Sequence, residues 1–364
     1  ENPGVIIQIS NKDKEMVASF FKEKGITFQV IGKITADRKV MLKKGNQILS
    51  LDINAMRDLW YRPSYLLDRR QSGEELALER YRNYKELPLI FKFSETFTGQ
   101  LKQYGIALHR NSPSGIRAAI VREQGSNGDR EMAWALYLAG FDVKDVHMTD
   151  IITGRETLDD VHFVVFVGGF ANSDVLGSAK GWAGAFLYNP RAKETLDRFY
   201  SRNDTLSLGV CNGCQLMTEL NLINPEHAQP PRMKHNRTHK FESHFVNVTI
   251  QENNSVMLKS LQGSRLGIWV AHGEGRFHLP LSEDNYHIPM KYSYSEFPGN
   301  PNGSDYDAAA ICSSDGRHLA MMPHLERAIY PWNWAFYPHD RKSDEVSPWI
   351  EAFVNAREWI KQQQ

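Results

Sequence analysis

The sequence predicts an α/β protein whose main domain is a mostly parallel, doubly wound sheet with an antiparallel excursion. Two observations predict the parallel part. Apolar runs of strand length, at 116–121, 143–147, 161–167 and 206–210, alternate with helical stretches, as in a parallel sheet covered on both faces. Glycine-rich turns, Gly125-Ser-Asn-Gly128 and Gly168-Gly169, follow the first and third runs, at the edge where such sheets collect ligands. A third observation predicts the excursion: strand-like runs at 245–250, 266–271 and 288–294 follow in the later part of the chain.

Taken in order, residues 1 to about 55 read as a small α/β unit. Val5–Ile9 is strand-like, Asp13–Lys24 helical and Phe28–Ile31 strand-like, and 38–42 with 47–51 flank Lys44-Gly-Asn46 as a hairpin. So few residues are thin for an independent core, so the unit is expected to finish a domain whose beginning lies elsewhere. The pattern from Ile53 to Leu87 is helical and charged, with Pro63 expected to interrupt it and Glu74–Glu79 to form a solvated face. Residues 91–114 show no clear period and read as a linker. The expected domains are therefore 1–55, 56–114 and 115–364.

Within the third, Asp129 opens a helix through Leu138 that Gly140 closes. Ala308–Cys312 and His318–Met322 form a hairpin about Asp315-Gly316, which delivers Pro323-His-Leu-Glu326, and 349–360 is a closing amphipathic helix.

Composition excludes several classes. With 43 basic and 43 acidic residues the formal charge is zero, which offers no support for nucleic-acid binding. No apolar run is long enough to span a bilayer, so no membrane partner is expected, and the first residues are not a signal peptide. Three cysteines cannot form a disulfide framework, which points to a reducing compartment and a cytoplasmic location. The five glycosylation sequons are read as chance. The chain does not begin with Met and reads as a piece of something longer.

The chemistry centres on Gly209-Val-Cys211-Asn-Gly213, which follows the buried-strand run at 206–210 and precedes a helix. This is the form of the turn that lifts a nucleophile clear of a sheet, where side chains two residues either way would collide. At a helix N-terminus, unpaired amides favour a thiolate and can hold an oxyanion. An ordinary free cysteine is a small buried hydrophobe, and Cys312 and Cys214 fit that description; Cys211 is set apart by its glycines and the strand-to-helix change. An amide from Gly168-Gly169-Phe170 together with that of Asn212 would complete an oxyanion hole.

A cysteine nucleophile needs a base and an orienting carboxylate. Among thirteen histidines, His324 follows a strand and has Glu326 two residues on, so both would project to one side of an extended segment. Two rivals come from other classes. Cys211-Asn-Gly-Cys214 has the spacing of a redox dithiol, which would explain neither Gly209 nor His324-Leu-Glu326. A zinc site would lack a second cysteine pair, and no metal is expected.

These motifs carry a resemblance. Gly-Val-Cys211-Asn-Gly-Cys-Gln215, Gly168-Gly-Phe170, Val-Ala-His272-Gly-Glu-Gly-Arg-Phe277 and Met-Met-Pro-His324-Leu-Glu-Arg327 resemble the glutaminase domain of the phosphoribosylformylglycinamidine synthase family, a class I glutamine amidotransferase of purine synthesis. Residues 122–131 and 174–177 extend the match over Gly115 to about Glu345, and the Arg57–Tyr65 region resembles the end of the same family's synthetase portion.

The resemblance implies a flavodoxin-like fold and three catalytic residues, Cys211, His324 and Glu326. It implies that Gln215 and the loop at His272 and Gly273 hold the amino-acid end of L-glutamine. Ammonia would pass to the remainder of the synthetase polypeptide, where Mg-ATP belongs, and the glutaminase reaction itself would need no cofactor. Ala171-Asn-Ser173 stands where the family has Ser-Tyr-Gly, and 236–244 also departs from the family pattern; both bear on glutamine affinity or synthetase docking. Without an upstream synthetase, a peptidase of related architecture or a retired regulatory homologue becomes the better explanation.

Overall fold

A computed structural model describes residues 4–363. The chain divides into two compact units, Glu1–Arg62 and Pro63–Gln364. The first contains α1 (Lys14–Glu23) and a hairpin of β1 (Lys39–Lys44) and β2 (Gln47–Asp52), paired from Lys39↔Asp52 to Lys44↔Gln47 across Gly45 at φ +57°. The strands expected at Val5–Ile9 and Phe28–Ile31 are absent: both stretches are irregular and exposed. Apolar alternation makes a strand only where another strand accepts its backbone hydrogen bonds, and among the described residues of this unit only the two strands of the hairpin pair.

Helix α2 (Ile53–Ser72) runs through Pro63, which was expected to break it. Proline removes one backbone donor and crowds the preceding turn. Beyond it, buried Asp68 ties the helix end down through Ser72 Oγ at 2.7 Å and Lys240 Nζ at 2.7 Å. Helix α3 (Glu74–Asn83) is not the solvated face its charges suggest, because Leu76 and Ala77 are buried. Residues 91–97 pack along a strand edge: Lys92 and Arg265 exchange both backbone hydrogen bonds at 2.8 Å, and Phe91 and Phe93 lie with ring centroids 5.1 and 5.8 Å from that of Trp334.

The second unit then alternates β3 (Arg117–Arg122), α4 (Asp129–Ala139), β4 (Asp142–His147), α5 (Met148–Thr153), β5 (Phe163–Phe166), α6 (Lys180–Leu187), α7 (Pro190–Ser201), β6 (Leu206–Val210) and α8 (Asn212–Glu219). Short β7 (Arg232–Lys234) pairs with β10 (Arg276–His278), on either side of β8 (Glu242–Ile250) and β9 (Arg265–His272) in sequence. The chain closes with β11 (His287–Tyr292), β12 (Ala308–Cys312), β13 (His318–Met321) and α9 (Ile350–Gln363).

Nine strands form one sheet in the order β4-β3-β5-β6-β13-β12-β11-β8-β9. The first five are mutually parallel and follow the flavodoxin-like order, and the last four are joined antiparallel. Strands β5 and β6 are buried at every position, which is why they read as continuous apolar runs rather than alternating ones. Phe166, Leu208, Val210 and Met321 are fully buried, each worth about 1.5–3 kcal/mol relative to exposure. This core makes the strand ends rigid, and the carboxyl ends of β5, β6 and β13 lead into the segments described next.

Candidate active site

Cys211 follows β6 directly and stands at the N-terminus of α8 with φ 53° and ψ −106°, a conformation disfavoured for any side-chain-bearing residue. Its surroundings hold it there: its N–H donates to Met321 O at 2.9 Å and its carbonyl accepts from Gln215 N–H at 3.0 Å. The flanking glycines are required by close approach. A Cβ at Gly209 would lie 2.5 Å from Gly213 O and 2.6 Å from Met217 Sδ, and one at Gly213 would collide with Phe166 O. The turn lifts Cys211 off the sheet but leaves it only 6% exposed, with Sγ 3.6 Å from Ala271 O of β9.

His324 leaves β13 and is anchored to β9 by its N–H, which donates to Trp269 O at 2.9 Å. Its Nδ1 lies 2.7 Å from Oε1 of Glu326, both side chains being buried. The segment is not extended as expected: residues Leu325–Arg327 form a single 3-10 turn, and it is this turn that sets the carboxylate against the ring. Burial alone would lower the pKa of His324. The Glu326 carboxylate, and then the charge and hydrogen bond of the Cys211 sulfur, outweigh it and raise the value above the usual histidine range. An imidazolium is therefore stabilised between carboxylate and sulfur. Gly168 faces the same ring, for a Cβ there would come 2.9 Å from His324 Cε1 and 3.4 Å from Cys211 Cβ.

Gly169, at φ +134°, is pressed on the β3–α4 loop, where a Cβ would meet Asn127 N, Gly125 O and Ser126 Cα, each at 2.6 Å. The amide of Phe170 donates to Gly125 O at 2.9 Å and is thus occupied, while its ring stays half exposed beside Phe241. Among the described residues, the amides of Gly169 and Asn212 have no acceptor. Asn212 also locks the loop to the nucleophile turn: its Oδ1 accepts from Ala171 N–H at 3.0 Å and its Nδ2 donates to Gln215 Oε1 at 2.9 Å. The three residues that follow Ala171, namely Asn172, Ser173 and Asp174, all adopt left-handed backbone angles, a strained run.

Gln215 Nε2 donates to Glu274 O at 2.8 Å, joining α8 to the turn that begins at His272. His272 is buried, and its Nε2 accepts from Asn302 Nδ2 at 3.1 Å. Burial first, and then the neighbouring His324 and His244, push its pKa down to about 3, so its ring is neutral. Around Gly273 there is open space, with no atom within 4 Å of a Cβ position. Asn236 threads this turn, donating to His272 O at 2.7 Å and accepting from Gly275 N–H at 3.0 Å. Sequence reasoning misses Asn236 and Asn302 as site residues: each begins a sequon read as chance, and both are fully buried.

A cavity of about 770 Å³ opens beside the turn, with Gln215, Glu274, Lys180 and Asn236 among its lining residues. Cys214 does not share the character of Cys211, being fully buried, with burial first and the Cys211 sulfur second holding its thiol well above the ordinary range. A buried thiol held protonated is a poor nucleophile for disulfide exchange.

Fold and site thus define an α/β protein with a buried cysteine, histidine and glutamate brought together on a flavodoxin-like sheet. Residues 115–360 match the family described as CobB/CobQ-like glutamine amidotransferase domains, and the chain belongs to that family. It is 38% identical over 387 residues to a probable phosphoribosylformylglycinamidine synthase, chloroplastic/mitochondrial, of Arabidopsis thaliana, covering 99% of this chain and 27% of the relative. It is 37% identical over 390 residues to the human phosphoribosylformylglycinamidine synthase, covering 99% of this chain and 29% of the relative. The chain therefore spans less than a third of the length of these relatives. Among solved structures, that of PurLQS from Thermotoga maritima superposes with a TM-score of 0.51 at 22% identity, covering 68% of this chain and 98% of that one, a likeness of fold. Among the described residues no helix is long and apolar enough to cross a membrane.

Proposed function

We propose that this chain is the C-terminal, glutaminase-bearing part of a phosphoribosylformylglycinamidine synthase, and that it hydrolyses L-glutamine to supply ammonia to a synthetase portion of the same protein. The observation that carries the reading is the buried Cys211–His324–Glu326 arrangement inside a region of glutamine amidotransferase sequence.

Cys211 Sγ attacks the side-chain amide carbon of glutamine, and the amides of Gly169 and Asn212 hold the oxygen as it becomes negative. His324 holds the proton and delivers it to the departing nitrogen, so ammonia leaves and a γ-glutamyl thioester remains. Water then attacks the thioester with His324 taking its proton, glutamate departs, and the thiol is restored. Glu326 keeps the imidazole in its working tautomer and stabilises the imidazolium. Gln215 and the turn at His272 and Gly273 frame the amino-acid end of the substrate.

This half of the reaction uses no cofactor; Mg-ATP and the ribotide substrate belong to the portion of the relatives that this chain does not span. A cytoplasmic location is proposed with it, although one relative is named chloroplastic/mitochondrial. The experiment is ATP-dependent product formation by the complete protein with glutamine or with ammonium as donor. Cys211→Ala should lose the glutamine-dependent activity and keep the ammonium-dependent one. Loss of both by a folded variant would overturn the channelled-ammonia reading.

A further inference from the structure

We propose that helix α3, upstream of the matched residues 115–360, is a working part of the glutamine site, and that Arg80 is a positioning residue: it holds the His272–Gly275 turn in place through two separate arms. The proposal rests on the glutaminase reading above.

The first arm runs through β8. Arg80 Nη2 lies 2.8 and 3.0 Å from the two oxygens of Glu242, and Nη1 lies 3.4 Å from Asp68 Oδ2. Glu242 is 2% exposed and sits directly opposite His272 in the β8–β9 register. A carboxylate this buried needs a cation and hydrogen-bonding partners; Arg80 supplies the charge, and His244 Nε2 lies 2.7 Å from Oε2. Two residues before Glu242, Lys240 Nζ donates to Asp68 at 2.7 Å, and the carbonyl of Lys240 accepts from Asn236, the residue that threads the turn.

The second arm runs through the segment after β11. The guanidinium of Arg80 lies 4.6 Å from the centre of the Phe297 ring, and Asn83 Nδ2 donates to Phe297 O at 2.8 Å. Asn302, five residues on, donates to His272 Nε2 at 3.1 Å and to Gly275 O at 2.8 Å. Both arms thus start on α3 and end on the turn whose Glu274 carbonyl accepts from Gln215. Residues Ser72–Leu76 also wall the cavity that Gln215 and Glu274 line.

Neither arm touches His324 or Glu326, so loosening α3 should misplace the substrate and leave the nucleophile's reactivity intact. In the complete protein, wild type, Arg80→Ala, Arg80→Lys and Glu242→Gln are compared in three measurements: KM and kcat for glutamine hydrolysis, labelling of Cys211 by a diazoketone analogue of glutamine, and alkylation of Cys211 by iodoacetamide, which needs no amino-acid site. Arg80→Ala and Glu242→Gln should raise KM and the half-saturating analogue concentration by about 10-fold or more. Their iodoacetamide rates should stay within about 2-fold of wild type. Arg80→Lys should restore only part of the loss, because an ammonium cannot span both carboxylates as the guanidinium does. Unchanged half-saturation in Arg80→Ala would overturn the proposal, as would equal losses with both reagents, which would mark a general loss of fold. A wild type that iodoacetamide labels but the glutamine analogue does not would instead sink the glutaminase reading, and this inference with it.

Discussion

His324 is held from two sides: its Nδ1 lies 2.7 Å from Glu326 Oε1, and a Cβ on Gly168 would press within 2.9 Å of Cε1 on the same ring. The ring has room for neither a side chain at 168 nor a second orientation. Gly168→Ala should therefore displace the imidazole by a fraction of an ångström and lower kcat for glutamine on the order of 100-fold. Steady-state kinetics alongside near-ultraviolet circular dichroism check this; a folded variant with wild-type kcat would show that the ring is not so confined.

The carboxylate of Glu326 raises the pKa of His324 against the effect of burial. A histidine with a raised folded pKa adds stability that is fully present below its unfolded value and is lost as pH rises through the folded one. Glu326→Gln removes the charge but keeps the shape, so the ring's titration, followed by NMR on labelled histidine, should move to lower pH. Glutamine hydrolysis should fall by about 10- to 100-fold, less than in His324→Ala, because nucleophile and base remain. An unmoved titration would assign the raised pKa to the Cys211 sulfur instead.

Burial pushes His272 down to about 3 and His318 down to about 4, the latter with its ring nitrogen 2.9 Å from Ser207 Oγ. The sign is opposite here: the unfolded chain binds the extra protons, so stability present above about pH 6.5 is lost as pH falls toward 4. Each histidine should contribute up to about 1.4 kcal/mol per pH unit in that window. Urea midpoints measured between pH 7 and 4.5 test this, and His318→Phe should flatten the decline. An equally steep decline in that variant would remove His318 from the account.

Cys214→Ala separates a hydrolytic cysteine from a redox pair. The thiol is fully buried and held protonated, so its removal should leave glutamine hydrolysis within about 3-fold of wild type. Activity lost with either cysteine, together with a reversible disulfide between 211 and 214, would favour dithiol chemistry.

What the sequence determined by itself was local. The strands of the parallel sheet, the glycine-flanked turn at Cys211 and the hairpin that presents His324 are each encoded within a short stretch of chain, where periodicity and the absence of a Cβ have direct geometric consequences. The tertiary structure decided the rest. Val5–Ile9 has a strand's pattern and no strand to pair with, and Pro63 lies within a helix whose far end buried Asp68 ties down. Cys211 is set free of the sheet by its own turn, yet buried by β9, some sixty residues further on. Asn236 and Asn302 begin sequons that carry no glycan signal and prove to be buried struts, and Arg80 reads as one charge on a charged helix until Glu242 is placed against it. The reason is physical: short spacings dictate backbone shape, whereas burial and the pairing of distant polar groups arise only when the sheet closes and brings remote segments into a common low-dielectric interior.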